Sequence, residues 1–573
     1  MRSLRRPIFA LFLVPLLIAA CGGGGETSST SASGGAGGGS GGPGGGNGGS
    51  DGSGGGSGGS GGSGGGSASA CDEFGRFGVP ENTFTLPSGS AALIYSDIQK
   101  SFPEVDWSTL DRLYIPAGSY KAILLGNLPD RDASRPLVIT NIGGQVQVGP
   151  NDPGAGYLWS MTGGSNWILT GRFDPDSKTG DAAFPGHRCG DYAGSRGKYG
   201  FFSDDAFATG QYLHMGISVS DATSYEIEYL ELFRSGFAGV RLLNKAEANK
   251  PPKPLDNVRL HDLYLHDIGA EGFYIGWTGA PPSNIVSNLK IYNNRVVRAG
   301  NEALQIQNLG DGVEVHHNVF AFAALRWRYN DLGKYQDNNS QVQVRAGSIA
   351  LHHNIFLGGA ATLLNFFSGP EAGDADRSVT FSENYFADAL SLGAYLGGTS
   401  GDGSTYTFAK NHLRGFDFGY ADLDPAATDP GVIFRKGSNF TSPIVFDGNT
   451  WEGPKKLIDG LSAPNGTAGS VTATGNVNGP VAPIELVSSG LPSGVPTRAL
   501  EEWAPKATVA PGSPAIVYKP GDFVMHNAEM FECIKENSEM APPDHPEAWK
   551  KLPAPVDDVR VVKGSTYAEM GVY

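Results

Sequence analysis

Between residues 289 and 479 the chain repeats one nine-residue phrase seven times, with apolar residues at its first and third places and asparagine at its sixth. The copies are LKIYNNRVV (289–297), VEVHHNVFA (313–321), IALHHNIFL (349–357), VTFSENYFA (379–387), YTFAKNHLR (406–414), IVFDGNTWE (444–452) and VTATGNVNG (471–479). Their asparagines, Asn294, Asn318, Asn354, Asn384, Asn411, Asn449 and Asn476, are spaced by 24, 36, 30, 27, 38 and 27 residues. Within each phrase the period is near two and β-branched and aromatic residues dominate, which is strand chemistry and excludes a helical repeat. A short strand that recurs every 24 to 38 residues cannot bury its apolar face alone, so the copies must stack on one another. Upstream, VRLHDLYLHD (258–267), YEIEYLELF (225–233) and NWILTGRFD (166–174) keep the alternation without the asparagine.

One short-stranded coil per repeat, with Gly and Asn corners, resembles the right-handed parallel β-helix of pectin-lyase-like proteins, an all-β solenoid. The repeated asparagine resembles the ladder at the corner between the second and third sheets of that fold, where a side-chain amide bonds backbone groups left unpaired by the bend. Residues 91–143 resemble the entry to such solenoids: a short helix, then an "IPAGSY" corner, then the first coils. The resemblance spans most of residues 80–500, and the expected solenoid runs over 71–500. Stacking places His316 over His352 and His317 over His353. Two neighbouring imidazole pairs could bind a metal; polar stacking at a corner is the reading adopted, and no metal ligand is assigned.

In this fold the strands before the first corner usually carry function. Here they are AGVRLL (238–243), EGFYIG (271–276), EALQIQ (302–307), SQVQVR (340–345) and ATLLNF (361–366). Alternation turns Arg241, Tyr274, Gln305, Gln307, Gln343 and Arg345 outward, a wall able to hydrogen-bond a hydroxyl-rich chain. Glu271 and Glu302 hold equivalent places on adjacent coils, about 4.8 Å apart, so one carboxyl is expected to have a raised pKa. The pair suits either the acid and nucleophile or base of a glycosidase or the capping of a corner. The segment 321–339 adds Arg326, Trp327, Arg328, Lys334 and Tyr335, aromatics that stack on sugar rings and cations that pair with uronate or sulfate. For a lyase, Arg345 or Arg328 would neutralise a uronate carboxylate, and Lys334, Tyr335 or a histidine would take the C5 proton. Asp174, Asp176 and Asp181 lack the spacing of a full calcium loop; calcium stays open only because β-helix lyases often use it.

MRSLRRPIFALFLVPLLIAAC has a basic start and an apolar run too short to be an ordinary membrane span. Ile18-Ala19-Ala20-Cys21 resembles the lipobox of bacterial lipoproteins, which implies that residues 1–21 are a lipoprotein signal, that Cys21 is lipidated, and that the chain is a cell-envelope lipoprotein of the outer membrane. Residues 22–70 are nearly all Gly and Ser, bury nothing, and read as a flexible tether reaching roughly 40 Å. Cys71, Cys189 and Cys533 allow at most one bridge, with Cys71–Cys189 the pairing chosen. A formal charge of -16 over 573 residues argues against a nucleic-acid partner.

After a Pro-rich stretch, residues 515–553 change texture. Tyr518-x-x-Gly521-Asp522-x-Val524, then Phe531-x-Cys533, Pro542-Pro543 and Trp549 resemble the small chitin-binding type 3 modules of chitinases and cellulases. The resemblance implies sugar stacking on Trp549, with Phe531 and Tyr518 as further aromatics at matching places; the core is the competing place for Trp549. Residues 554–573 read as a closing strand or tail. Together these features lead to a monomeric, surface-anchored protein acting on a polysaccharide, with a lyase for an acidic glycan ahead of a hydrolase using Glu271 and Glu302. A non-catalytic glycan-binding protein is the third reading.

Overall fold

The computed structural model describes residues 75–150, 157–187, 192–206, 214–244, 253–276, 285–326, 340–359, 362–368, 378–389, 392–398, 405–416, 431–437, 440–497, 500–506 and 515–572. Within them, three parallel columns of short strands form a β-helix. The first sheet runs through Val240–Leu242, Phe273–Ile275, Leu304–Leu309 and Ser340–Gly347. The second runs through Thr223–Glu228, Leu255–His261, Val286–Tyr292, Glu314–His316, Ile349–His352 and Ser378–Ser382. The third contains Leu230–Phe233, Tyr264–Ile268, Arg295–Ala299, Val319–Ala321 and Ile355–Leu357. Every pairing among these strands is parallel, each with the strand one coil away.

The inward residues form unbroken columns. Phe320, Phe356 and Phe386 stack at 5.4 and 4.7 Å, and Phe381, Phe408 and Phe446 at 5.2 Å each. Such offset stacks contribute beyond their area alone. At the corner between the second and third sheets the asparagines form a ladder. The backbone N–H of Asn318 donates to Asn354 Oδ1 at 3.0 Å, that of Asn354 to Asn384 at 3.0 Å, and that of Asn384 to Asn411 at 3.0 Å. Each amide Nδ2 also donates to the next Oδ1 and to a carbonyl at the end of the second-sheet strand one coil earlier, as Asn384 does to Leu351. Leu263 N–H donates to Asn294 at one end of the ladder, and Asn465 takes the place after Asn476 at the other.

The residue before each ladder asparagine lies in the left-handed region: Asn293, His317, His353, Glu383 and Lys410 have φ between 53 and 55°. In the last two copies that place is Gly448 and Gly475, which adopt it at no steric cost. The short helix expected at the entry is Ile98–Ser101, capped by Asp97. The "IPAGSY" corner is instead part of one strand, Arg112–Tyr120, with a register shift between Pro116 and Gly118.

Near the C-terminus, Leu500–Glu502, Phe523–His526, Glu529–Cys533 and Trp549–Lys551 make a separate four-stranded sheet. Residues 554–572 then run over the outer face of the third sheet. There Val559, Tyr567, Met570 and Val572 pack with Val319, Ile355 and Tyr385, and Asp557 enters a buried ionic cluster. Arg298 donates to both Asp267 (2.7 Å) and Asp557 (2.7 Å), Tyr264 donates its hydroxyl to Asp557, and Arg295 donates to the Asp557 carbonyl at 2.7 Å. Cys533 is a free buried thiol; Cys21, Cys71 and Cys189 lie outside the described residues.

Replacing Asn384 with alanine removes the side-chain partners of Asn354 N–H and the Leu351 carbonyl in a buried corner, while Asn354 Nδ2 keeps the Val315 and His352 carbonyls. At about 1–3 kcal/mol for each buried unsatisfied group, chemical denaturation of N384A should show a loss on the order of 4 kcal/mol, with V445A, at a half-buried place two coils away, costing far less.

Candidate functional site

Backbone register brings the polar residues of the second sheet into two columns on its outer face. The first column is Ile168, Glu226, Arg259, Lys290, Glu314, Ala350 and Thr380. The second, two residues further along each strand, is Thr170, Glu228, His261, Tyr292, His316, His352 and Ser382. The period of two turns both columns away from the core, while Ile227, Leu260, Ile291 and Val315 between them point inward and are fully buried. An open groove of about 810 Å³ runs along this face, lined by Ser224, Arg259, Lys290, Glu314, Ser348 and Thr380 among others. Five coil steps of about 4.8 Å make it about 24 Å long.

One end of the groove is a buried charge cluster. Arg76 pairs with Glu226 at 2.6 Å and Glu228 at 2.9 Å, and His261 meets Glu226 at 2.6 Å and Asp262 at 2.6 Å. Burial alone would raise Glu226, but His261 and Arg76 outweigh it and hold the carboxyl at about 2. Burial likewise opposes the charge on His261, yet Asp262 and Glu226 raise it to about 10. Burial and the neighbouring Glu226 push Glu228 up. Glu226, Glu228 and His261 have the separation of a metal triad, but the Arg76 guanidinium already supplies the positive charge there.

Further along, the groove is accessible. Arg259 and Lys290 are adjacent in the first column, with side chains 55% and 50% exposed. Lys290 pairs with Glu314 at 2.9 Å, and Glu314 accepts from His352 Nε2 at 2.9 Å; burial works against the Glu314 charge, but these partners bring its pKa to about 2. His261, Tyr292, His316 and His352 stack ring on ring at 4.5, 5.1 and 5.1 Å. Burial, aided by its cationic and imidazole neighbours, lowers His316 to about 4, so it is neutral at physiological pH.

The wall expected on the first sheet is in register: Arg241 pairs with Tyr274, Tyr274 with Gln305, Gln305 with Gln343, and Gln307 with Arg345. Its exposure differs from expectation. Gln305 and Gln307 are buried, because alternation determines which side a residue faces and not whether that side meets solvent. Tyr274 is half-buried, as is Arg241, which donates to Ser218 at 3.1 Å. Arg326 is buried, its N–H donating to the Gly300 carbonyl at 2.8 Å. Trp327, Arg328, Lys334 and Tyr335, and the side chains of Gln343 and Arg345, lie outside the described residues. Glu271 and Glu302 do stack on adjacent coils, their carbonyls accepting from Gly239 and Gly272, but both are buried and not on an open face. Asn301 hydrogen-bonds Glu271, whose Oε2 is buried with no hydrogen-bond partner among the described residues. Burial and then Glu302 push Glu271 up to about 8.

One further expectation is corrected, and the calcium candidate is a turn. Trp549 is in the core of the small sheet, 2% exposed, its indole N–H donating to Met540 O at 2.8 Å and its ring 5.3 Å from Tyr518; no ring face is left for a sugar. Phe531 and Tyr518 are buried beside it. Asp174, a candidate for calcium, accepts from the backbone N–H groups of Gly75, Asp176 and Ser177, so its carboxylate organises a turn. The residues missed by the sequence reading, Arg259, Lys290 and Glu314, stand between the apolar places of the very strands that revealed the repeat.

No protein-family model and no curated protein matches the chain. Among solved structures it is similar to pectate lyase Pel9A, at 10% identity and a TM-score of 0.36 over 77% of this chain and 92% of that one. It is similar to the GH136 lacto-N-biosidase from Eubacterium ramulus at 10% identity and a TM-score of 0.39, over 64% and 60% of the two chains. The catalytic domain of a GH87 alpha-1,3-glucanase gives 10% and 0.31 over 69% and 68%.

A carboxyl raised on folding favours the native state fully below its unfolded pKa, and that contribution is lost as pH rises through the folded value. Glu271 should therefore make the chain less stable between about pH 4.5 and pH 8. Urea titrations of wild type and Glu271→Gln at pH 5 and pH 9 should show the difference moving toward the variant by on the order of 3 kcal/mol; equal shifts would mean that Glu271 ionises freely.

Proposed function

We propose that this chain binds an acidic polysaccharide along the outer face of the second sheet and cleaves it by β-elimination. The adjacent exposed cations Arg259 and Lys290 in the open groove carry this reading. A uronate carboxylate placed there meets two cations about 4.8 Å apart, and Arg259 offers a planar fork for it. Exposed pairs such as Lys290–Glu314 contribute little net stability, so an incoming carboxylate can displace Glu314. The groove's length matches an extended glycan of several sugars, and its serine, asparagine and threonine lining matches hydroxyl groups.

Pairing of the uronate carboxylate with Arg259 and Lys290 stabilises the negative charge that develops when the C5 proton leaves. His316, one coil from Tyr292 and two residues from Glu314, is the base: its neutral imidazole accepts the C5 proton. The C–H electron pair becomes the C4–C5 double bond, the C4–O bond breaks, and the departing oxygen takes a proton from water. Tyr292 and His352, stacked on either side at 5.1 Å, hold the ring in place.

A hydrolase is the second reading, favoured by one observation: Glu271, raised to about 8, is a protonated carboxyl beside Glu302, the asymmetry that an acid and a nucleophile or base require. The envelope placement belongs to the same proposal: a lipoprotein signal over 1–21 with lipidated Cys21, a tether over 22–70, a monomeric solenoid over 71–500 and small segments at 515–553 and 554–573.

Purified chain should be offered uronate-containing and neutral polysaccharides, with and without calcium. β-Elimination predicts products with the ultraviolet absorbance of an unsaturated uronate. Arg259→Ala/Lys290→Ala should raise KM at least tenfold, and His316→Asn should lower kcat by about 10²–10⁴-fold. New reducing ends without that absorbance, lost in Glu271→Gln and kept in His316→Asn, would select the hydrolase. Binding with neither product would leave only a glycan-binding protein.

A further inference from the structure

At the edge of the groove, the corner between the second and third sheets holds an arrangement that the proposed cleavage uses only in part, through His316 and His352. His316 Nδ1 lies 2.9 Å from His317 Nδ1, and His352 Nδ1 lies 3.0 Å from His353 Nδ1. In each doublet the rings are near perpendicular, at 90° and 89°. The doublets stack one above the other, His316 on His352 at 5.1 Å and His317 on His353 at 5.0 Å. All four side chains are half-buried and reachable from solvent. We propose that the two histidine doublets, His316/His317 and His352/His353, form a binding site for a divalent transition metal, with Cu²⁺ and Ni²⁺ preferred.

The distances select the metal. With metal–nitrogen bonds of about 2.05 Å, two nitrogens 2.9–3.0 Å apart subtend about 90° at the ion. A tetrahedral ion needs them about 3.3 Å apart, whereas a right angle between imidazoles suits tetragonal Cu²⁺ and square-planar Ni²⁺. Copper also leads the affinity order for nitrogen sites.

The groups around the doublets orient the rings for this role. His352 Nε2 faces Glu314 Oε1 at 2.9 Å, and His353 Nε2 faces Glu383 Oε2 at 3.4 Å. A carboxylate on the outer nitrogen holds the proton there and turns the Nδ1 lone pair toward the metal, the usual support of a ligating histidine. Before metal enters, a proton on one Nδ1 of the His316/His317 doublet satisfies the other; metal binding moves it to that ring's Nε2. Lys290 and Lys410 neutralise the outer side of Glu314 and Glu383, and Glu569 of the C-terminal tail adds negative charge near His353. The backbone is fixed as well: Asn318 Nδ2 donates to the His316 carbonyl at 2.9 Å, and Asn354 Nδ2 to that of His352 at 3.1 Å. The ladder thus fixes two consecutive imidazoles on each coil at a chelating separation.

Two dications on doublets 5 Å apart repel, so the first equivalent should bind roughly a hundredfold more tightly than the second. A metal on His316 also takes the lone pair assigned to C5 proton removal, so metal should inhibit elimination; binding itself is independent of that assignment.

The test is titration of the untagged full chain with Cu²⁺, without glycan, followed by visible absorption and electron paramagnetic resonance. One tight equivalent should appear, with hyperfine structure from two equatorial imidazole nitrogens. His317→Ala/His353→Ala, which removes one arm of each doublet, should weaken binding at least a hundredfold, while His545→Ala at an exposed site leaves it unchanged. Circular dichroism melting shows whether the double variant is folded; if it is not, the wild-type resonance still decides. Oxygen-only coordination, or a folded double variant that binds as tightly as wild type, overturns the site.

Discussion

The bend between the second and third sheets is the constraint on which the rest of the molecule depends. A chain that turns there leaves N–H and C=O groups inside the solenoid, away from water, and each costs free energy unless it is paired. The asparagine side chain is small enough to sit in the bend and carries both a donor and an acceptor. Because each Oδ1 accepts from the preceding coil's asparagine, through its backbone N–H and Nδ2, and each Nδ2 reaches the next Oδ1, a ladder fixes more than a bend. It sets every coil's register against its neighbour. A slip of one residue would bury Arg259, Lys290 and Glu314 and expose Leu260, Ile291 and Val315. The ladder therefore excludes the slip twice, through lost hydrogen bonds and lost apolar burial.

With register fixed, side chains at one offset become neighbours over long distances in sequence. The same geometry yields opposite environments on different faces. Over the third sheet the C-terminal tail closes on the column containing Tyr264 and Arg295, and brings Asp557 to Arg298 across 259 residues. Burying such charges is costly, and their attraction returns the cost only when geometry is good. Arg298 meets Asp267 and Asp557 with paired, near-parallel bonds, and Arg295 sits over Tyr264 at 4.0 Å. Asp557 thereby completes the cluster: without it Arg298 would keep only Asp267 as a carboxylate partner.

The stack, the ladder, the pairing of histidine doublets and the placing of Glu271 beside Glu302 can all be read from the sequence, because each follows from a local offset repeated along the chain. Burial cannot, because it depends on what lies across a face. Gln305 and Gln307 alternate outward as expected and are still covered. Trp549 occurs at the spacing of a sugar-binding aromatic, yet it packs with Trp503, Tyr518 and Phe531 in the core of the short sheet, and the indole is spent there. Arg259, Lys290 and Glu314 escape sequence reading for the converse reason: the strands are recognised by their apolar places, which say nothing of the residues between. Their charges vary from coil to coil, so no periodic signal marks them, and only the register shows that they share a column.

The proposed binding of glycan on the second sheet is supported by a comparison of the three outer faces. On the third, the described residues are covered by apolar side chains of the tail and by the buried arginines. On the first, the glutamines at the centre of the wall have lost contact with solvent, so a sugar hydroxyl would have to displace existing packing before forming a hydrogen bond. On the second, Arg259 and Lys290 keep about half of their side-chain surface in water, and Glu314, the partner of Lys290, is of the kind that an incoming carboxylate can replace. A ligand bearing carboxylates at sugar spacing gains most where the cations are already in register, the hydroxyl-matching side chains recur coil by coil, and little must be displaced. Those conditions coincide along one column, and the corner that fixes it also holds the imidazoles beside it.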